Sequence, residues 1–99
     1  MTIDMIDFLD IYKNKTINII DIRSRYIYEL SHIPNAINIP YDYLILNPPK
    51  YLNKNETYYL YCQAGYTSKS IAKKLNSSGY QTISINGGYN SYKLNSKRN

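Results

Sequence analysis

Two hydrophobic periods alternate along this chain. In residues 2–12, Ile3, Ile6, Phe8 or Leu9, and Ile11 recur at helical spacing, with Thr2 and Asp4 available to cap the start. Residues 17–22 are short, β-branched and nearly all apolar, the pattern of a strand covered on both faces. Residues 24–30 predict a short helix capped by Ser24. After the Ile33-Pro34 turn, residues 36–39 predict a second strand, stopped by Pro40. Residues 41–46 predict one or two helical turns, ended by Pro48-Pro49. Residues 57–61 read as a strand rich in aromatic side chains. Residues 62–67 carry loop residues, and residues 68–77 an amphipathic helix with Ile71, Ala72 and Leu75 on one face and Gly79 as its stop. Residues 82–85 predict a last strand, Gly87-Gly88 a turn, and residues 89–94 a final helix. Strands separated by helices imply right-handed crossovers. The predicted fold is a small α/β domain with a mostly parallel sheet of four or five strands and helices on both faces.

Composition narrows the class. A chain of 99 residues suits one domain over residues 1–99, and residues 95–99 read as a frayed polar tail. Of the 43% hydrophobic residues, 13 are Tyr, and Ile and Leu remain numerous enough for a core. No apolar run approaches the ~18–20 residues of a membrane span, and no basic stretch precedes an apolar segment at the N-terminus. These features predict a soluble, cytoplasmic protein without a membrane partner. The single Cys excludes an internal disulfide and a multi-cysteine zinc site, and neither metal nor cofactor is expected.

A net charge of +5 raises the question of nucleic acid. Asp4, Asp7, Asp10 and Asp21 fall in the first quarter. The last third carries Lys69, Lys73, Lys74, Lys93, Lys97 and Arg98 with no acid. Zinc-finger spacing and glycine-aromatic RNA-binding signatures are missing, so no nucleic-acid partner is predicted.

The chemistry concentrates on Cys62. Ligands of open parallel sheets bind beyond the carboxyl ends of the strands, and Cys62 follows the last residue of a predicted strand. The segment Gln63-Ala64-Gly65-Tyr66-Thr67 must curl over the incoming helix N-terminus, presenting successive N–H groups as an anion nest. Gly65 supplies the unusual dihedral angles, and Thr67 or Ser68 is expected as N-cap. A thiol in that place is favoured as the nucleophilic thiolate. A lone cysteine is otherwise a small buried hydrophobe; the strand end, glycine-containing loop and capped helix favour the reactive reading.

The segment Tyr61-Cys62-Gln63-Ala64-Gly65-Tyr66-Thr67-Ser68, running on to Ala72, Leu75 and Gly79-Tyr80, resembles the active-site segment of rhodanese-like domains. Two further blocks are similar to that family's other signatures. The first is Asp21-Ile22-Arg23 with Tyr28-Glu29 and residues 32–40. The second is Asn86-Gly87-Gly88-Tyr89 with Tyr92-Lys93. The resemblance covers residues 17–93 in the family's order. It implies a three-layer rhodanese-like sandwich and a thiosulfate-type sulfurtransferase. Cys62 would take a sulfane sulfur from a donor such as thiosulfate, hold it as a persulfide, and pass it to cyanide, a thiol or a protein acceptor. The amides of Gln63, Ala64, Gly65, Tyr66, Thr67 and Ser68 would form the substrate cradle, and two half-reactions through a covalent intermediate imply ping-pong kinetics.

Departures from the family pattern bear on the donor. Thr67 stands where Arg is frequent, which weakens the grip on an anion, and Gln63 and Ala64 bring no charge. Lys69 and Arg23 are the nearest candidates to replace that cation. Ser31 stands where Gly is usual and Tyr92 where Trp is common, the latter in a packing role. An alternative reading is a sulfur-relay or interaction module whose acceptor is a partner protein, with little small-molecule turnover. Phosphatases and arsenate reductases place an Arg where this chain has Ser68, so oxyanion chemistry of that type is disfavoured.

Asp21 either orients Arg23 or caps the following helix. Arg23 either faces substrate or pairs with Glu29. His32 belongs, by the resemblance, to a structural turn away from the thiol. Tyr66 is expected at the mouth of the site, and the remaining tyrosines are expected to pack with their hydroxyls in water.

Overall fold

The computed structural model describes residues 1–96. Its elements, in chain order, are β1 Thr2–Ile3, α1 Met5–Asn14, β2 Asn18–Asp21, α2 Arg25–Leu30, β3 Ile37–Asn38, α3 Tyr41–Leu46, α4 Pro48–Tyr51, β4 Thr57–Tyr61, α5 Tyr66–Ser77, β5 Gln81–Ile85 and α6 Gly88–Ser96. One parallel sheet runs in the order β1-β5-β4-β2-β3. With five strands it takes the upper of the two expected counts.

Period-two alternation along β4 divides the core. Tyr58 and Leu60, with Cys62 just beyond the strand, pack with Ile20, Leu44, Ile71, Ala72 and Leu75 on the side of α3 and α5. Tyr59 and Tyr61 pack with Met5, Phe8, Ile33, Ile85 and Tyr89 on the side of α1 and α6. Ile71 and Leu75 are almost wholly covered, each contributing roughly 1.5–3 kcal/mol by burial. This packing holds the N-terminus of α5 against the end of β4. No helix among the described residues is long and apolar enough to cross a membrane.

The structure departs from the sequence pattern in several places. Thr2 and Ile3 form an edge strand on β5 rather than the start of a helix, because Met1 O accepts from Ser84 N–H and Ile3 O from Asn86 N–H. Asp4 takes the N-cap position of α1, but its carboxylate accepts from Asn86 Nδ2 at 2.7 Å instead of capping. Ser24 caps α2 by accepting from Ile27 N–H, as its position predicts. Pro48 separates α3 from a further short helix, since a proline is tolerated in a first turn. Asn95 and Ser96, assigned to the polar tail by composition, are the last residues of α6. The rest of that tail, including Lys97 and Arg98, lies outside the described residues.

Not all the tyrosine hydroxyls are in water. Those of Tyr12 and Tyr28 donate to the carbonyls of Pro34 and Ala36. Those of Tyr58 and Tyr61 accept the N–H groups of Asn53 and Ile33. Buried polar groups take such partners because leaving them unmade costs more than the bond yields.

Candidate active site

Cys62 is the first residue after β4, and its side chain is only 8% exposed. Its Sγ accepts the N–H of Gly65 at 3.2 Å and that of Ser68 at 3.3 Å. The helix that delivers Ser68 starts at Tyr66, two residues earlier than the pattern predicts. Neither Thr67 nor Ser68 caps it: Gly65 occupies the N-cap position at φ 99°, with no side-chain cap. A β-carbon there would lie 2.8 Å from Gly87 N, so space and backbone angle both require glycine. Ser68 turns inward instead. Its hydroxyl donates to Gly65 O at 3.2 Å, stands 2.7 Å from Ser84 Oγ and 3.5 Å from Cys62 Sγ, and is fully buried.

The carbonyl side of the loop is held by α6. Tyr89 N–H donates to Cys62 O at 2.9 Å and Asn90 N–H to Gln63 O at 3.0 Å. Gly88 makes this approach possible, since a β-carbon on it would fall onto the Cys62 carbonyl oxygen. With those carbonyls engaged, the N–H groups of Gln63, Ala64, Tyr66 and Thr67 have no acceptor among the described residues. They sit around the N-terminus of α5, where orphan donors and the helix dipole favour negative charge.

Asp21 and Arg23 brace the same loop from the other side. The Asp21 carboxylate, fully buried at the end of β2, accepts Arg23 N–H at 2.9 Å and Arg23 NH2 at 2.7 Å, with Nε at 3.1 Å from both oxygens. Arg23 NH2 also donates to Ser31 O at 2.7 Å, and NH1 to Gln63 Oε1 at 3.1 Å. The guanidinium lies 4.4 Å from the Tyr89 ring centroid. Burial opposes its charge, and the hydrogen bonds and charge of Asp21 outweigh that, so Arg23 is held protonated beyond the ordinary guanidinium range. Burial first, and then Asp21, push the neighbouring Tyr61 phenol well above the usual value.

Of the five guanidinium N–H groups, one on NH1 has no acceptor among the described residues. The alternative Arg23–Glu29 pair does not form; Glu29 accepts from Arg25 across an exposed turn of α2. Gln63 is pinned at both ends, its Nε2 donating to Asn90 Oδ1 at 2.6 Å. Ala64, Tyr66 and Thr67 are exposed, Tyr66 at 82%. Lys69 is exposed on α5, and its side chain makes no hydrogen bond or ion pair among the described residues. His32 stacks on Tyr28 at 3.8 Å and shares a hydrogen bond with Tyr28 O, a turn-forming role. Tyr92 packs on Tyr89 with ring centroids 5.8 Å apart.

Sequence reasoning did not find Ser84, Asn90 or the contact of Gly88 with the loop. Ser84 left a signal, a hydroxyl in a strand expected to be covered on both faces. Asn90 left none, because its role depends on a side chain from another element.

The sequence model of the rhodanese-like domain matches residues 5–95. Over 70 residues, 67% of this chain, the sequence is 41% identical to a tRNA sulfurtransferase of Thermoplasma acidophilum. Over 85 residues, 78% of the chain, it is 32% identical to the adenylyltransferase and sulfurtransferase UBA4 of Candida albicans. The chain spans only 14% and 19% of those two longer proteins. The crystal structure of a rhodanese-like domain protein from Staphylococcus aureus superposes with a TM-score of 0.82 at 29% identity, covering 93% of this chain and 91% of that one.

Proposed function

The chain belongs to the rhodanese-like domain family, and from that premise and the cradle geometry we propose that it is a sulfurtransferase carrying sulfur as a Cys62 persulfide. One observation carries the reading. Cys62 Sγ faces main-chain N–H groups at a strand-to-helix junction, with further unpartnered N–H groups around it. Such donors suit a nucleophilic sulfur, and they stabilise the negative charge that resides on the outer sulfur of a persulfide.

In the first half-reaction the thiolate attacks the sulfane sulfur of a donor such as thiosulfate. A bond forms between Cys62 Sγ and that sulfur, the donor's S–S bond breaks, and its electron pair leaves on sulfite. In the second, cyanide or a thiol attacks the outer sulfur, the persulfide bond breaks, and the thiolate returns. No redox partner, metal or cofactor enters this balance. With Cys62 the sole cysteine, release by an internal disulfide is excluded, so an external acceptor must take the sulfur. The amides of Gln63, Ala64, Gly65, Tyr66, Thr67 and Ser68 are the substrate-binding groups of this scheme. Asp21 and Arg23 support the loop, with one Arg23 N–H available to the donor. A free-thiol nucleophile suits a reducing compartment, which favours the cytoplasm.

The test is the mass of the intact chain after incubation with thiosulfate, beside thiosulfate:cyanide turnover. The wild type should gain one sulfur atom at Cys62 and turn over, and Cys62→Ser should do neither. A wild type that never gains sulfur from any sulfane donor refutes the reading.

A second reading rests on the absence of a cation on the loop itself. Gln63 is tied back, Thr67 stands in an arginine position, and Lys69 points to no partner. A relay whose donor or acceptor is a protein does not need that cation. Rapid persulfide formation with slow small-molecule turnover, and a partner that accelerates release, is its signature.

A further inference from the structure

A parallel strand covered on both faces is ordinarily apolar throughout, and β5 breaks that rule beneath the cysteine. Thr82 and Ser84 both face α5 and both are buried. The reason for Thr82 is local: its hydroxyl donates to Ala72 O and stands 2.8 Å from Asn76 Oδ1, tying α5 to the sheet. Ser84 has no such anchor. It is fully buried between β1 and β4, and among the described residues its hydroxyl has one partner, Ser68 Oγ at 2.7 Å.

Counting protons gives this contact a direction. A serine hydroxyl has one proton and two lone pairs. If Ser68 donated to Ser84, the Ser84 proton would be buried without an acceptor, which costs more than the bond returns. Ser84 is therefore the donor and Ser68 the acceptor. The proton of Ser68 then has two claimants, Gly65 O at 3.2 Å and Cys62 Sγ at 3.5 Å. While sulfur carries its proton, Sγ–H donates to Ser68 Oγ and the Ser68 hydroxyl turns to Gly65 O. Once that proton has left, the Ser68 hydroxyl turns to sulfur and joins the N–H groups of Gly65 and Ser68 as a third donor.

We propose that Ser84 is a positioning residue of the sulfur site, whose buried hydroxyl donates to that of Ser68, holds and polarises it, and so strengthens it as a third donor to the Cys62 thiolate. This rests on the reading of Cys62 as the nucleophile, and it makes the second layer of the cradle a side-chain relay beneath main-chain amides. When sulfur is loaded and the charge moves to the outer atom, the Ser68 hydroxyl returns to Gly65 O. The relay thus favours the free thiolate over the loaded state and assists release rather than capture.

The experiment measures iodoacetamide alkylation of Cys62 at about pH 6, where the thiolate fraction sets the rate. This readout needs no sulfur donor. Ser84→Ala should slow alkylation about 2–5-fold, because the Ser68 hydroxyl keeps its two acceptors and loses the donor that holds and polarises it. In a Ser68→Ala background the same substitution should have no further effect, because Ser84 acts only through Ser68. Thr82→Ala, an equally buried hydroxyl two residues away, should lower stability and leave the alkylation rate at the wild-type value. A wild-type rate in Ser84→Ala, or equal slowing with and without Ser68, overturns the proposal. If Ser84→Ala does not fold, Ser84→Thr decides: the retained hydroxyl must preserve the rate, and a slowed Thr variant overturns it. Fast alkylation without persulfide formation would remove the sulfurtransferase reading and leave the Ser84 relay standing, so the two fail separately.

Discussion

Replacing Arg23 by Met separates two roles that the sequence leaves open, holding the loop and holding the donor. Arg23 is 9% exposed, and its guanidinium joins Asp21, Ser31 O and Gln63 Oε1 while lying over Tyr89. Met keeps much of the aliphatic bulk and removes the charge. The fully buried Asp21 carboxylate then keeps the backbone N–H of residue 23 and loses its countercharge. Breaking one partner out of a buried ion pair costs about 3–5 kcal/mol, since an uncompensated charge is left behind. Loss of the cation over Tyr89 adds roughly 0.5–2 kcal/mol. Domains of this size are stable by about 5–15 kcal/mol, so the variant should sit near the edge of folding.

Urea unfolding followed by circular dichroism measures the loss, and thiosulfate:cyanide kinetics on the folded fraction measures the other role. The expected result is a large drop in urea midpoint, with kcat falling as Gln63 comes loose. A companion Asp21→Leu/Arg23→Met protein should recover much of the loss, because well-packed apolar replacement of a buried pair is often close to neutral. An Arg23→Met protein with the wild-type midpoint and a raised KM for thiosulfate would refute the bracing argument and make Arg23 a donor ligand.

Three further outcomes follow from the geometry. Gly88→Ala drives a β-carbon into the Cys62 carbonyl at φ 56°, so it should cost about 1–3 kcal/mol in thermal unfolding and abolish most persulfide formation seen by mass. The Tyr61 phenol is raised by burial, so its contribution is intact below the unfolded value of about 10 and is lost as pH rises above it. Tyr61→Phe should therefore flatten the alkaline fall in unfolding free energy by up to ~1.4 kcal/mol per pH unit, part of the slope remaining because burial also raises Tyr12 and Tyr92. Thr67→Arg, at an exposed first-turn position, should lower the KM for thiosulfate several-fold with little change in stability, and an unchanged KM would show that the cradle amides alone set donor binding.

What the sequence made legible was whatever is local in the chain. The strand at Thr57–Tyr61, the glycine loop and the apolar face of α5 are each carried by neighbouring residues, and each is found where period and turn chemistry place it. The misses share a different cause. The edge strand at Thr2–Ile3 exists only because β5, from the far end of the chain, offers it hydrogen bonds. The start of α5 departs from the residue pattern because a left-handed Gly65, packed on Gly87, overrides the hydroxyl-cap rule. Of the roles the sequence offers Arg23, the pair with Glu29 along a helix does not form, and the link to Asp21 does, brought within reach by the turn that ends β2. The three sequence blocks are three walls of one site. Asp21, Arg23 and Ser31 brace one side of the loop, Cys62 to Ser68 form it, and Gly88 to Asn90 hold its carbonyls. Asp21, Arg23, Gly88 and Tyr89 are buried, so their identities are constrained by packing. Ala64, Tyr66 and Thr67 stand in solvent at the rim and are free of that constraint. On the proposed function, donor and acceptor preference is expected to vary at these residues, whose change costs the fold little, and a substitution screen over positions 64, 66 and 67 that leaves every KM unchanged would refute it.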